Sequence, residues 1–102
     1  MLDNLMGNME EQQAAMQEKL AGILVEAEAG DGAIKVQASA DKQITNISID
    51  ETKMDLTDKE ELEDLLLVAI NRALELAEEK AGVETQSLLK DMLPPGLGNL
   101  FG

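Results

Sequence analysis

The sequence predicts an α+β fold in which a long N-terminal helix, a three-stranded antiparallel sheet and a long C-terminal helix follow one another. Near both ends of the chain apolar residues recur every three or four positions, which is the spacing of an amphipathic helix. In the middle they alternate with polar residues, which is the spacing of a strand. The length of 102 residues suits one domain, and no shift in composition marks a second core. We therefore expect a single domain over residues 1–102.

The first predicted helix runs from Leu2 to about Gly22. Its apolar stripe is narrow, because the other faces carry Asn, Gln, Glu and Lys; the stripe consists of Leu2, Met6, Met9, Gln13, Met16 and Leu20. A narrow stripe is typical of a helix that packs against one other helix. At helical spacing, methionines are more often core or interface residues than an adaptable binding groove. We therefore expect Met9 and Met16 to lie in a subunit interface or in the core.

Three strands are predicted after Gly22, over residues 23–28, 34–39 and 44–49. In the first two strands apolar and polar residues alternate. Between them, Gly30-Asp31-Gly32 provides glycines that tolerate positive φ, as a tight hairpin requires. In the third strand Ile47 and Ile49 share one face but Ile44 is out of phase, which indicates a bulge near the start of the strand. Three short strands with one apolar face need a covering element.

The second helix is the predicted cover. Its start at Thr57-Asp58-Lys59-Glu60 is typical of a capping box. The main apolar stripe consists of Leu62, Leu66, Ala69, Ala73, Leu76 and Ala77, and a second stripe beside it consists of Leu67, Ile70 and Leu74. Together the stripes span about half of the helix circumference or more, which exceeds what one small sheet covers. A homodimer in which the second stripe faces the partner explains this excess; a monomer that envelops the helix is the alternative.

The end of the chain leaves two questions open. Gly82 interrupts the helical pattern, and Val83 to Met92 fits either a continuation of the second helix or a short helical tail of its own. Leu93-Pro94-Pro95-Gly96 then ends any helix, since proline cannot continue one. We expect residues 93–102 to form a flexible tail, with a docking segment as the alternative.

The chain offers few groups for catalysis or metal binding. It contains no His and no Cys, so neither an imidazole-based triad nor the commonest zinc sites can be assembled. The acidic groups Asp50-Glu51 and Glu60-Glu61-Glu63-Asp64 match no calcium-loop spacing. Gly30-Asp31-Gly32 precedes strand-like residues and not a helix, so it reads as a hairpin turn and not as a phosphate-binding loop. We expect no enzymatic activity, no metal, no cofactor and no small-molecule substrate.

The charge of the chain is strongly acidic. The net charge is −13, from 21 acidic and 8 basic side chains, and the basic residues are dispersed along the sequence. This balance weakens a purely electrostatic argument for binding nucleic acid or anionic lipid. The N-terminus lacks the features of a secretory signal, and the longest apolar run, Leu65 to Ile70, is far shorter than a membrane-spanning helix. We therefore expect a cytoplasmic protein that does not enter a membrane.

Four segments resemble a known family. The most specific is the helical segment Leu62-Glu63-Asp64-Leu65-Leu66-Leu67-Val68-Ala69-Ile70-Asn71-Arg72-Ala73-Leu74. The other three are turn and strand segments: Ala29-Gly30-Asp31-Gly32-Ala33-Ile34-Lys35-Val36, Ile47-Ser48-Ile49-Asp50 and Leu93-Pro94-Pro95-Gly96-Leu97. In these residues and in the order of its elements, nearly the whole chain resembles the bacterial YbaB/EbfC family of nucleoid-associated proteins.

This resemblance implies both an assembly and a function. It implies a homodimer whose sheets join and whose helices project like tweezers, and which binds duplex DNA in the nucleoid and alters its conformation. Cations on or near the projecting helices are the candidate DNA-binding residues: Lys19, Arg72, Lys80 and Lys90. The ordinary alternative for each cation is a solubilising surface charge. The competing hypothesis for the whole protein is an acidic interaction module that binds a basic protein partner without contacting DNA.

Overall fold

The computed structural model describes the backbone of residues 2–92 and the side chains of residues 9–90. Its five elements are α1 (Leu2–Ala21), β1 (Leu24–Ala29), β2 (Ile34–Ser39), β3 (Gln43–Ile49) and α2 (Lys59–Met92). The predicted α+β order is therefore confirmed. The predicted flexible tail, residues 93–102, lies outside the described residues.

The three strands form one antiparallel sheet in the order β1-β2-β3. The turn between β1 and β2 places Asp31 and Gly32 at φ values of 54° and 85°, and the Ala33 N–H donates to the Gly30 carbonyl at 3.1 Å. Gly30 has a positive φ as well, at 66°. Positive φ at both central residues, here Asp31 and Gly32, is characteristic of the hairpin turn whose twist matches that of the flanking strands. The glycine-containing segment is thus a hairpin, as predicted.

The predicted bulge lies at Thr45. Gln37 of β2 pairs with Asn46 and the next residue, Ala38, pairs with Ile44, so Thr45 has no counterpart on β2. The extra residue shifts the side-chain alternation by one position. As a result Ile44 faces the same side of the sheet as the other two isoleucines of β3.

The core lies between α2 and one face of the sheet, and small side chains dominate it. Ala69, Ala73 and Ala77 repeat every four residues along α2 and are fully buried against the sheet. Their partners include Ile34 and Val36 of β2, which are also fully buried. Alanine keeps the helix close to the sheet because it has no side chain beyond Cβ. This confirms the main stripe predicted for the second helix, except for one of its leucines.

That exception is Leu76, which is 39% exposed. It lies beside β1, where Glu28 and Glu79 line the same shallow groove. Its position on the helix is about 60° from the direction of Ala73, so it points past the outer strand of the sheet and not into the core.

The helix start is one residue later than the predicted capping box. Asp58 is the N-cap, because its Oδ1 accepts a hydrogen bond from the Glu61 N–H at 3.2 Å and its carbonyl accepts from the Leu62 N–H at 3.1 Å. Thr57 instead bonds Asp55: its N–H and its hydroxyl both donate to Asp55 Oδ1, at 2.9 Å and 2.6 Å. An aspartate cap satisfies backbone N–H groups that have no partner within the helix.

Helix α2 continues through Gly82 to Met92. Of the two predicted alternatives for Val83 to Met92, continuation is correct, and the described residues contain no separate helical tail. A side chain at Gly82 would meet no atom within 4 Å. An exposed glycine costs a helix about 1 kcal/mol relative to alanine but does not end it.

The molecule is elongated. Its radius of gyration is 19.0 Å, whereas a compact domain of this length would have about 13 Å. Helix α1 makes few contacts with the other elements, and those lie near its C-terminal end, where the Leu20 carbonyl accepts from the Ala40 N–H at 3.1 Å. One subunit therefore leaves much of its helical surface uncovered.

We predict that Asp58→Ala lowers the free energy of unfolding by about 1 kcal/mol, because it removes the N-cap acceptor of α2. Thr57→Ala is the matched control, since Thr57 bonds Asp55 and not the helix, and should cost less. Urea denaturation at equal protein concentration measures both. A larger loss for Thr57→Ala would contradict the assignment of the cap.

We also predict that the loop between β3 and α2 weakens in acid. Hydrogen bonds donated by the Thr52 hydroxyl and N–H hold the pKa of Asp50 below 3.8, and the Thr57 hydroxyl and N–H act in the same way on the pKa of Asp55. Because these folded-state pKa values are lowered, the stabilisation is present above the ordinary carboxyl pKa. It is lost as the pH falls through the lowered value.

Nuclear magnetic resonance of the Thr52 and Thr57 amide protons against pH tests this loop. Both signals should move with apparent pKa values below 3.8. Asp50→Asn should abolish the titration at Thr52 and leave that at Thr57. Titration of the two amides at or above 3.8 would refute the interpretation.

Candidate assembly and nucleic-acid surfaces

The face of the sheet that packs on α2 is only partly covered. Helix α2 lies over β1 and β2 and leaves β3 open. Ile47 and Ile49 pair with Val36 and Ile34 and therefore face the same side of the sheet. The two β2 residues are fully buried, whereas Ile47 is 44% exposed and Ile49 is 38% exposed. The apolar face of β3 is thus uncovered by the described part of its own chain.

The second stripe of α2 borders this open strand. Leu67 is 61% exposed, and Ile70 and Leu74 are half-buried, with Ile70 packed against the core. Ala81, on the same side of the helix, lines a cleft together with Gln43 at the start of β3. We call the combined apolar surface the β3–α2 face; it consists of Ile44, Ile47, Ile49, Leu67, Ile70 and Leu74. The stripe predicted to meet a partner subunit is therefore only partly hidden within its own chain, and Leu67 is its most exposed residue.

The backbone of β3 is also open along its outer edge. The Ala33 carbonyl accepts from the Asp50 N–H at 2.7 Å, so residue 33 directs its carbonyl toward β3 and residue 50 directs its N–H toward β2. Because these directions alternate along antiparallel strands, Ile47 and Ile49 point their N–H and C=O groups away from β2. No residue of β3 is charged and none is proline. An edge strand of this kind is a template for pairing with another strand.

The β1 edge is built differently. The Ile23 carbonyl accepts from the Ala40 N–H at 2.9 Å, and the same alternation then points the polar backbone groups of Glu26 and Glu28 outward. The Glu28 carbonyl is occupied, because Arg72 of α2 donates to it from Nη1 at 3.0 Å. The two edges of the sheet are therefore not equivalent.

Helix α1 also exposes part of its apolar stripe. Met9 is 61% exposed, and Met16 and Leu20 are half-buried. Met9 and Met16 are thus not core residues of one subunit, and their assignment to a subunit interface stays a prediction.

The four predicted DNA-binding cations do not form one patch. Lys19 pairs with Glu84 at 3.0 Å, and Arg72 bonds the Glu28 carbonyl. Lys80 lies in a groove beside β1, and Lys90 is exposed near the end of α2. Along α2 the rise places Arg72 and Lys80 about 12 Å apart and Lys80 and Lys90 about 15 Å apart.

Two further lysines are also paired with carboxylates. Lys35 lies 3.7 Å from Glu28, and Lys42 lies 3.8 Å from Glu78. Exposed pairs of this kind add little stability but reduce the positive potential around each lysine. Among the described residues, therefore, three lysines have a carboxylate within 4 Å, and the four predicted cations are not concentrated in one place.

The isoleucines of β3 are interface candidates that the sequence analysis missed. The signal for them was present, since residues 43–49 contain three isoleucines and no charge. What the sequence lacked was any indication that α2 covers the other two strands and leaves this one open.

The described residues give no sign of a metal centre or a membrane segment. They contain no group of three or more His, Cys, Asp or Glu side chains that could hold a metal ion. Within the same range, neither helix has the length and apolar character needed to cross a membrane.

Comparison with known proteins places the chain in a family. Residues 1–92 match the YbaB/EbfC DNA-binding family. The chain belongs to the YbaB/EbfC family. The match includes both helices and all three strands, so the resemblance inferred from four short segments is confirmed.

Relatives named as nucleoid-associated proteins are similar over most of the chain. A nucleoid-associated protein of Akkermansia muciniphila is 42% identical over 86 residues, which are 83% of this chain and 83% of that protein. A nucleoid-associated protein of Thermoanaerobacter pseudethanolicus is 40% identical over 89 residues, which are 87% of this chain and 80% of that protein.

A crystal structure of an uncharacterized protein from Helicobacter pylori has the same fold. It superimposes with a TM-score of 0.70 at 23% identity, covering 86% of this chain and 92% of that one. The α+β fold of this chain, with two helices and a three-stranded sheet, is therefore also seen in an experimental structure.

Proposed function

We propose that this chain is a nucleoid-associated protein that binds duplex DNA as a homodimer and alters the conformation of the DNA in the bacterial cytoplasm. The observation that carries the proposal is the match of residues 1–92 to a DNA-binding family. The names of its relatives, which are nucleoid-associated proteins, support the same assignment. The proposal includes no catalytic activity, no cofactor, no metal and no membrane contact.

The β3–α2 face supports the homodimer. It is apolar and uncharged, so a two-fold axis beside it would bring the same surface from a second copy against it without unpaired charge. Antiparallel pairing of β3 with the partner's β3 would satisfy the open backbone edge and extend the sheet to about six strands. Full burial of one Leu or Ile side chain contributes about 1.5–3 kcal/mol. A partner that covers Leu67 and Ile47 would therefore stabilise the pair substantially.

Helix α1 supports the same conclusion. It has 20 residues and few contacts with its own sheet. In proteins a helix gains most of its stability from the packing of its apolar face, and α1 has little such packing within its own chain. We expect the partner subunit to cover Met9 and Met16.

We place DNA on the projecting helices, at Lys19, Lys80 and Lys90. Each phosphate contact contributes about 0.9 to the slope of log K against log salt, so few contacts give weak and shallow salt-dependent binding. Arg72 is the weakest of the four candidates, because its guanidinium already donates to a backbone carbonyl. Two copies of each lysine in a dimer would double the available contacts.

We predict that Ile47→Lys dissociates the homodimer. It would place a charge within the β3–α2 face and weaken association by about 3 kcal/mol or more, which corresponds to a rise in Kd of about a hundredfold. Light scattering across a range of concentrations measures the change. Leu24→Lys is the matched control, since Leu24 is also exposed but lies on β1. Retention of the two-chain mass by Ile47→Lys, or a single-chain mass for the unaltered protein, would overturn the proposed assembly.

We predict that the protein binds duplex DNA at low salt and binds it more weakly at physiological salt. Replacing Lys90 by Gln should reduce the salt slope by about 1 for each phosphate contact that is lost. Lys59→Gln removes the same charge from the first turn of α2 and should leave the slope unchanged.

Fluorescence anisotropy on duplex DNA at several salt concentrations distinguishes the outcomes. Absence of a complex at every salt concentration would sink the DNA proposal and favour the acidic interaction module. Equal effects of Lys90→Gln and Lys59→Gln would sink only the assignment of Lys90.

A further inference from the structure

We infer that Arg72, together with the glutamates of β1, closes the outer edge of β1 against strand pairing, so that sheets join only through β3 and assembly stops at two subunits. This inference rests on the proposed homodimer and assigns Arg72 a role other than contact with phosphate. A three-stranded sheet has two edges, and two open edges would allow chains to add without limit. A closed dimer therefore requires that one edge be blocked.

The first observation is the hydrogen bond from Arg72. Glu28 directs its carbonyl away from β2, toward the side where a further strand would pair. Arg72 Nη1 donates to this oxygen at 3.0 Å. A strand that approached this part of the edge would have to displace the guanidinium, which also stands in the way as a bulky, hydrated cation. The corresponding backbone groups of β3 have no such cover in the described part of the chain.

The second observation is charge on the same edge. Glu26 and Glu28 are exposed on β1, and Glu75 and Glu79 of α2 line the grooves beside them. Pairing of β1 with a second copy of β1 would bring like carboxylates opposite one another, which destabilises a strand pair. Pairing of β1 with the partner's β3 would strip water from these carboxylates without providing cations. Strand β3 carries no charge and imposes neither cost.

The local charge also makes Arg72 a poor site for phosphate. The groove that Arg72 lines is also lined by three carboxylates, those of Glu28, Glu75 and Glu79. A DNA phosphate placed there would meet net negative charge. The same surroundings suit a guanidinium that blocks a strand edge, because it is held by the Glu28 carbonyl and the carboxylates beside it repel a second acidic strand.

The inference is tested by removing the side chains that are proposed to close the β1 edge. In a triple variant, Glu26→Thr and Glu28→Thr replace the carboxylates by a residue that favours strands, and Arg72→Met removes the donor but keeps an apolar stem. We expect light scattering and sedimentation to give the mass of two chains for the unaltered protein at every concentration. The triple variant should reach the mass of four chains or more as the concentration rises.

Two controls separate edge closure from a change in net charge. The first control removes the same charges from the loop before α2 and from the first turn of α2, by Glu51→Gln, Glu60→Gln and Lys59→Met. This variant should keep the mass of two chains. Arg72→Lys keeps a cationic donor at the edge and should stay at two chains as well. Larger assemblies from either control would overturn the inference.

The outcomes distinguish the inference from the homodimer on which it rests. A triple variant that is folded by circular dichroism and keeps the two-chain mass at every concentration overturns the role of Arg72 and leaves the homodimer in place. A single-chain mass for the unaltered protein overturns both. If the triple variant does not fold, Arg72→Met alone and Glu26→Thr with Glu28→Thr are measured in the same way. Each of these two variants should then form assemblies larger than two chains at high concentration. If both keep the mass of two chains, the inference is overturned.

Discussion

The close packing of three alanines of α2 on two strands is the contact on which the rest of the structure depends. Ala69, Ala73 and Ala77 bring the helix against β1 and β2, where only small and medium side chains separate the layers. A helix centred between two strands cannot also cover the third. The exposure of Ile47 and Leu67 follows directly, because both flank the line along which the alanines make contact. The open face is therefore a consequence of where the helix is seated and not a separate feature.

This seating links the fold to the family's function. A subunit that buried all its apolar surface would be compact, whereas this chain extends over 61 × 33 × 17 Å and leaves α1 and the distal part of α2 projecting from the sheet. Projecting helices can reach the DNA backbone on either side of a two-fold axis, provided that a partner fixes their spacing. In the proposed dimer, the joined sheets would hold the long helices of the two copies apart.

The charge of the molecule limits how it can hold DNA. With a net charge of −13 and ion pairs at Lys19, Lys35 and Lys42, long-range attraction to phosphate is weak. Binding would then depend on the geometry of a few contacts and on two copies acting together. The same acidic character is useful at the β1 edge, where carboxylates oppose strand addition. One composition thus disfavours both tight nucleic-acid binding and uncontrolled association.

By itself the sequence determined the elements, because their signals are local. The periods of 3.6 and 2, the Asp31-Gly32 turn and the out-of-phase Ile44 report backbone geometry within a few residues. The helices, strands, hairpin and bulge all lie within one or two residues of the positions that these signals indicate. The predicted N-cap was wrong by one residue. Thr57 and Asp58 are both good caps, and only the competing hydrogen bond from Thr57 to Asp55 decides between them. Tertiary structure alone decided which strand stays uncovered, that Leu76 points past the sheet, and that Arg72 reaches a carbonyl 44 positions away in the chain. These features depend on how closely and at what angle α2 meets the sheet, which no pattern within one element can express.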